Sequence, residues 1–404
     1  MKASMIIPVS TTSWVYSVYI HIPFCRQRCQ YCDFNTYAGI EDLIQPYVNA
    51  LCQEMKQIYQ SVEKQLSVST IYFGGGTPSL LESKDIINLL RNLNTIFSCA
   101  ENAEITLESN PGTVNLGWLK EIHSAGVNRL SMGVQSANKD ELRILGRIHT
   151  YQQVQQAVEE ARMAGFENIN LDLIYGIPHQ TLDTWKESVQ AVLKLYPEHL
   201  SLYALTLESG TMLFDNVKNG IFPQPEPDLA ADMYEWASEY LEQNGFLQYE
   251  ISNWARSDKN GKFLSCQHNL QYWRNLPYIG LGAGAHGYIH PVRTVNVLSA
   301  AEYIHRFDNG VNVSFPSTPA TSETNLIDFQ AEIGETMMMG LRLIREGISK
   351  ERFEKRFQKS LDAIFGKQIE KSIRNGLLEW KDGDTLRLTK RGRLLGNQVF
   401  MLFI

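Results

Sequence analysis

A chain of 404 residues, 44% hydrophobic and 20% charged, reads as an ordinary globular protein long enough for a large domain and a smaller one. Its formal charge of −7 argues against general polyanion binding by the whole molecule, and six cysteines are too sparse for a disulfide scaffold, which fits a reducing cytoplasm. No apolar run approaches the roughly 20 residues of a membrane span, and the N-terminal MKASMIIPVSTTSWVYS lacks the long apolar region of a secretory signal.

Val18, Ile20 and Ile22 alternate with Tyr19 and His21 as a strand does, and Pro23 ends the ladder. A short polar loop then carries Cys25, Cys29 and Cys32 at C-x3-C-x2-C spacing. Residues 42–59 predict an amphipathic helix, and Thr70 to Phe73 a short strand running into Gly74-Gly75-Gly76-Thr77-Pro78. A helix over 83–97 follows, then a strand over 104–109 stopped by Asn110-Pro111-Gly112. The spacing continues with a helix at 115–124, a strand at 129–134, helices at 139–145 and 151–164, and a strand at 168–173. A helix at 182–195, a strand at 199–205 and a helix at 227–244 complete six strand–helix alternations. That pattern predicts an α/β fold with a parallel sheet, either a partial (β/α)6 TIM-like barrel or an open doubly wound sheet. Cys25, Gly74 to Gly76, Glu108, Gln135, Asp172 and Thr206 all fall at C-terminal strand ends, the rim where barrel sheets assemble chemistry. The partial barrel is therefore the expectation.

Residues 215–230 read as a connecting loop, and Gly245 to Tyr288 are dense in aromatics and glycine. A boundary is expected near Pro316 to Thr321, which divides the chain into a core over 1–245, an associated segment over 246–318 and a C-terminal unit over 319–404. In that last unit, helices plus a hairpin over 377–388 turning at Asp382-Gly383 predict a smaller α+β, winged-helix-like domain. Cys52 and Cys99 read as small hydrophobes.

Three thiolates on one short loop can converge on one inorganic centre. They supply one ligand fewer than a closed zinc site or a fully protein-ligated iron–sulfur cube requires. An open metal position binds a small molecule. The rival readings are a Cys3His zinc site using His21, or cysteines that are merely buried.

The spacing resembles that of the radical S-adenosylmethionine (SAM) superfamily, in which the three cysteines hold a [4Fe-4S] cluster and SAM chelates its fourth iron. In that family a reduced cluster breaks SAM into methionine and a 5′-deoxyadenosyl radical. The motifs YIHIPFC, YCDFNTYA, FGGGTP, SMGVQS, DLIYGIP and QYEISNWA, spread over roughly Val18 to Leu395, are similar to those of its HemN/HemW group. The resemblance implies that Tyr19, Gly75, Glu108 and Thr206 line a first SAM position. It implies that Tyr31, Gly76, Thr77, Gln135, Arg147 and Asp172 line a neighbouring second one.

HemN enzymes, which are oxygen-independent coproporphyrinogen III oxidases, carry a further cysteine two residues after the third cluster ligand. Here that place is Phe34, and only about 17 residues precede the first strand. Both features resemble the HemW branch, which implies a heme chaperone serving respiratory membrane proteins. Heme would be its cargo and SAM cleavage an open question; an electron donor of flavodoxin or ferredoxin type, a dimer and a cytoplasmic, membrane-peripheral location would fit. Coproporphyrinogen oxidation is the alternative.

Heme needs an axial ligand, an apolar slot and cations for its propionates. His268, in the HNxxYW stretch ending at Trp273 and Arg274, is the candidate ligand, with Cys266 and His286 behind it. A third reading comes from residues 341–395, whose local charge of +7 would suit an RNA-modifying radical enzyme.

Overall fold

The computed structural model describes residues 14–308 and 313–404, so most of the N-terminal stretch discussed above lies outside the described residues. Six parallel strands stand side by side in chain order: β1 Tyr16–Ile22, β2 Ser67–Gly75, β3 Ser98–Ser109, β4 Arg129–Gln135, β5 Ile169–Tyr175 and β6 His199–Ala204. The helices between and after them are α1 Ile44–Ser61, α2 Ser83–Ile96, α3 Leu116–Ser124, α4 Lys139–Ile144, α5 Tyr151–Met163, α6 Leu182–Leu193, α7 Met212–Lys218 and α8 Pro227–Gln243. Right-handed crossovers that always step in one direction put the helices on one face. The strand order never reverses, so there is no switch point of the doubly wound kind. The sheet is a partial barrel.

Strand alternation explains what fills it. Val18, Ile20, Phe73, Leu107, Met132 and Leu171 are fully buried in the core. The intervening positions are polar and meet across the strands: Ser17 with Thr70, Tyr19 with Tyr72, Glu108 with Ser131, Ser131 with Asn170, and Asp172 with Ser201. A period of two thus gives each strand an apolar face and a polar one. The barrel interior is a polar column rather than an oily core.

The sheet extends beyond these six strands. β7 Leu247–Glu250 and β8 Asn253–Ala255 add antiparallel beside β6. At the other edge β9 Tyr278–Leu281 pairs parallel with β1, followed by antiparallel β10 His286–Ile289, β11 Val292–Asn296 and β12 Thr321–Leu326. The helices α9 Gln267–Trp273 and α10 Ala300–Asp308 belong to this part. The expected 246–318 segment is therefore part of one twelve-stranded sheet, and β12 carries that sheet past the boundary placed at 319. The polar run of β12, exposed along most of its length, hid a strand that forms by edge pairing. The expected loop over 215–230 likewise contains most of α7 and the start of α8, with Thr211 capping the first of these through Phe214 N–H.

Buried Glu54 on α1 pins the extension to the barrel. It accepts from Gly282 N (2.9 Å), Asn296 Nδ2 (3.0 Å), Thr318 Oγ1 (2.8 Å) and Tyr303 Oη (2.6 Å). Burial pushes its carboxyl pKa up despite these donors.

A second hydrophobic core runs from Ile333 to Phe403. It gathers α11 Phe329–Gly340, α12 Lys350–Phe357 and a small sheet of order β13-β15-β14, from Ile348–Ser349, Leu378–Lys381 and Thr385–Leu388. Asp382 (φ 53°) and Gly383 (φ 76°) make the left-handed turn that the sequence signals. Several of the basic residues there are paired, among them Lys350 with Asp362 and Arg356 with Glu332.

Candidate active site

A cavity of about 420 Å³ opens at the C-terminal ends of the parallel strands. Cys25, Cys29 and Cys32 line it, together with Tyr31, Gly75, Gly76, Thr77, Glu108, Gln135, Arg147, Asp172 and Thr206. Every residue that the sequence nominated for cluster or SAM is thus at this one cavity except Tyr19. His268 is also absent from its walls.

The cysteine loop is held by its own backbone. Phe24 and Cys25 pair with Tyr37 and Ala38, Cys32 N donates to Cys29 O (3.3 Å), and Gln30 N donates to Leu145 O (3.0 Å). Each thiol has a polar neighbour: Thr77 Oγ1 donates to Cys25 Sγ (3.7 Å), Arg147 Nη1 to Cys29 Sγ (3.4 Å), and Thr36 Oγ1 lies 3.8 Å from Cys32 Sγ. Burial raises the Cys25 and Cys32 thiols, and each is raised further by its fellow cysteines.

Among the described residues no three His, Cys, Asp or Glu crowd around a single ion position. His21, the fourth ligand of the zinc reading, has both ring nitrogens engaged, with Tyr19 Oη (3.0 Å) and Asn35 O (2.8 Å). The donor set therefore fits a cube with one corner open.

The amides of the glycine run are taken up within the protein. Gly75 N donates to Glu108 Oε2 (3.1 Å), Gly76 N to Ile22 O (2.8 Å) and Thr77 N to Phe24 O (2.8 Å). A Cβ on Gly76 would stand 2.6 Å from Phe24 O, and one on Gly75 2.5 Å from His21 Cε1. The glycines let the cysteine loop lie directly on the end of β2. Contacts from this run to a ligand would fall to carbonyls and the Thr77 side chain.

Four carboxyls line the cavity: Asp33 and Glu208 are exposed, whereas Glu108 and Asp172 are enclosed. Glu108 accepts from Tyr72 Oη (2.8 Å), and burial, with Asp172 adding to it, pushes its pKa up to about 7. Asp172 accepts from Asn170 Nδ2 (2.7 Å) and Ser131 Oγ (3.3 Å), yet burial still raises it. Arg147 is the facing cation. It donates to Gly133 O (2.8 Å), Asn110 Oδ1 and Cys29. Gly133 leaves room for this: a Cβ there would lie 2.8 Å from Gln135 Nε2 and 3.0 Å from Arg147 Nη2. Gln135 itself adopts φ 65° at the strand end, which turns the chain into the rim.

Among the cavity residues that sequence reasoning missed are Tyr72, Asn110 and Tyr203. Tyr72 was legible as the inward position of TIYF. Asn110 read only as a turn residue, although its amide bridges Arg147 and Thr77 Oγ1 (2.8 Å).

Tyr19 stacks on Tyr72 with ring centroids 6.2 Å apart, so it backs the floor of the cavity rather than lining it. His268 lies deeper. It is 1% exposed, its Nδ1 meets Thr70 Oγ1 (2.8 Å) and its Nε2 meets Tyr272 Oη (3.1 Å). Burial, with Arg129 nearby, drops its pKa to about 3. The position expected for a heme ligand thus holds an imidazole whose two nitrogens are both in use inside the barrel. Cys266 is fully buried with its thiol pushed up to about 12, whereas His286 is exposed on β10.

A curled parallel sheet with three cysteines on the loop after its first strand, opposite rim carboxyls and an arginine, defines a radical SAM protein. The radical SAM superfamily profile matches residues 19–192, and that of the HemN C-terminal domain matches 329–395. The "Heme chaperone HemW" of Bacillus subtilis is 39% identical over 96% of this chain and 99% of its own length. That of Lactococcus lactis is 36% identical over 96% and 97%. The mitochondrial "Radical S-adenosyl methionine domain-containing protein 1" of Danio rerio is 34% identical over 93% of this chain and 82% of its own. The chain belongs to the HemW family of radical SAM proteins. Among solved structures, the radical SAM coproporphyrinogen III oxidase HemN from Escherichia coli matches with TM-score 0.81 over 98% of this chain and 91% of its own, at 23% identity, which shows a shared fold.

Family membership implies a [4Fe-4S] cluster on Cys25, Cys29 and Cys32 with SAM beside it. When bound, the pair supplies one-electron reductive cleavage of a sulfonium C–S bond. The residues do the remainder. Arg147 lies beside Cys29, Glu108 and Asp172 would offer negative charge to a cationic nucleotide once ionised, and the polar column fixes them through hydrogen bonds.

Proposed function

We propose that this chain is a radical SAM heme chaperone, which binds heme and hands it to heme-requiring proteins. The observation that carries the reading is the near full-length identity to proteins named for that role, 39% and 36% over 96% of the chain. Phe34 supports it. It stands where the oxidases carry an extra cysteine and is 64% exposed at the cavity mouth, an apolar face rather than a thiol. For the iron's axial position the exposed imidazole of His286 is the accessible candidate, and His268 would serve only after giving up Tyr272 or Thr70. Membrane-bound acceptors, a small electron-transfer protein as donor, a homodimer and a cytoplasmic place fit this role; no helix among the described residues is long and apolar enough to cross a membrane.

Titration of the purified protein with hemin, followed by mixing with an apo-cytochrome, tests the reading. A Soret band that moves to the acceptor is expected. Conversion of coproporphyrinogen III to protoporphyrinogen IX by the reconstituted protein would replace it with the oxidase reading.

A further inference from the structure

Below the cavity floor a line of aromatic rings runs out of the barrel. Tyr72, whose hydroxyl faces Glu108, stacks on His268 with centroids 4.9 Å apart. His268 meets Tyr272 edge-on at 5.0 Å, and Tyr272 meets Tyr278 at 4.6 Å. Packing alone would explain rings in a core; it does not explain their protons. Thr70 donates its hydroxyl hydrogen to Ser17 Oγ (2.6 Å), so at 2.8 Å it accepts from His268 Nδ1–H. That fixes the tautomer: Nε2 is bare and accepts from Tyr272 Oη. Tyr72 likewise points its O–H at a carboxyl. Tyr278 is half-buried, while Tyr288 beyond it has a buried hydroxyl with no partner, so a proton can leave from the first and not from the second.

We propose that Tyr72, Tyr272 and Tyr278, with Glu108 as proton donor to the first and His268 as proton acceptor for the second, form a relay that drains an oxidising equivalent from the cavity to the protein surface. The oxidant is the carbon-centred radical derived from SAM when no acceptor is present. It takes the hydrogen atom of Tyr72 O–H, forming a C–H bond and leaving the phenoxyl. An electron then passes from Tyr272 to Tyr72, which regains a proton from Glu108 while Tyr272 gives its own to His268 Nε2. Next an electron passes from Tyr278 to Tyr272, His268 returns the proton, Tyr278 releases its proton to solvent, and Glu108 reprotonates from the cavity. A small thiol in solution restores Tyr278 by giving up a hydrogen atom and becoming a thiyl radical. The relay rests on the radical SAM assignment and not on the identity of the cargo.

The test uses cluster-loaded full-length protein with 3-aminotyrosine, a readily oxidised trap, in place of one tyrosine at a time. Reductant and SAM are added without heme, and the sample is frozen for EPR while 5′-deoxyadenosine is measured in a parallel aliquot. An aminotyrosyl signal at least tenfold stronger with the trap at 272 or 278 than at Tyr249, a buried phenol off the line and bonded to His199, is expected. Tyr272→Phe should cut the signal of a trap at 278 by at least tenfold while the cluster's own signal is unchanged. Equal yields at 249 overturn the proposal, as does a silent trap at 272 and 278 in a sample that has formed 5′-deoxyadenosine. In the silent case 5′-deoxyadenosine tells which part failed: its presence points to the relay, its absence to the radical supply.

Discussion

Gly133→Ala isolates the site from the fold. Gly133 sits in β4, outside the positive-φ residues, so alanine suits its backbone and removes glycine's strand penalty of about 0.5–1 kcal/mol. The new methyl group, however, would meet Gln135 Nε2 at 2.8 Å, Arg147 Nη2 at 3.0 Å and Asn110 Oδ1 at 3.2 Å. The arginine must give way, loosening its bonds to Asn110 and to Cys29 Sγ (3.4 Å). One hydrogen bond to a charged group contributes about 1.5–3 kcal/mol, so SAM affinity should fall by roughly 10- to 150-fold. Isothermal titration of SAM into the cluster-loaded variant reads the loss, and thermal denaturation of the same sample should show an unchanged or slightly raised Tm. Unchanged SAM affinity in a folded variant would refute the claim that Arg147 and Asn110 shape the ligand position.

The remaining predictions concern pH, the scaffold and the cargo. With its carboxyl pushed up to about 7, Glu108 is protonated in the folded protein where the unfolded chain, near 4.5, is already ionised. Folding therefore retains the proton, and its share of stability is lost as pH rises from about 4.5 through 7; denaturant titrations across that range should show Glu108→Gln removing part of the slope. SAM, a cation at its sulfonium, should bind more tightly as pH rises through about 7, and a flat affinity profile would contradict the placement of Glu108. Glu54→Ala leaves four donors unpaired in the core, a loss of about 3–5 kcal/mol, seen as a Tm lower by about 5 °C or more. His268→Gln should leave heme affinity within about twofold while His286→Ala lowers it; the reverse order would restore His268 as the ligand.

The parallel strands were legible because most carry a short apolar alternation closed by a glycine, proline or asparagine signal, as Asn110-Pro111-Gly112 closes β3. The three cysteines were legible because their spacing is local and needs no tertiary information. What the sequence concealed was long-range. β9 looks like any apolar tetrapeptide, and only its pairing with β1 makes it an extra parallel strand. How Gly75 and Gly76 seat the cysteine loop was hidden because the carbonyls that take up the Gly76 and Thr77 amides arrive from Ile22 and Phe24, some fifty residues earlier. His268 stood out for its aromatic neighbours, yet one of them, Tyr272, takes its Nε2, and Thr70, distant in sequence, takes its Nδ1.

The account depends on three thiolates that leave one metal corner open at the head of a polar barrel. EPR of the anaerobically reconstituted, reduced protein before and after SAM tests it most directly. A four-iron four-sulfur signal that changes shape when SAM is added, and is lost in Cys29→Ala, is the predicted result. Zinc in place of the cube, or a cluster signal indifferent to SAM, would contradict it.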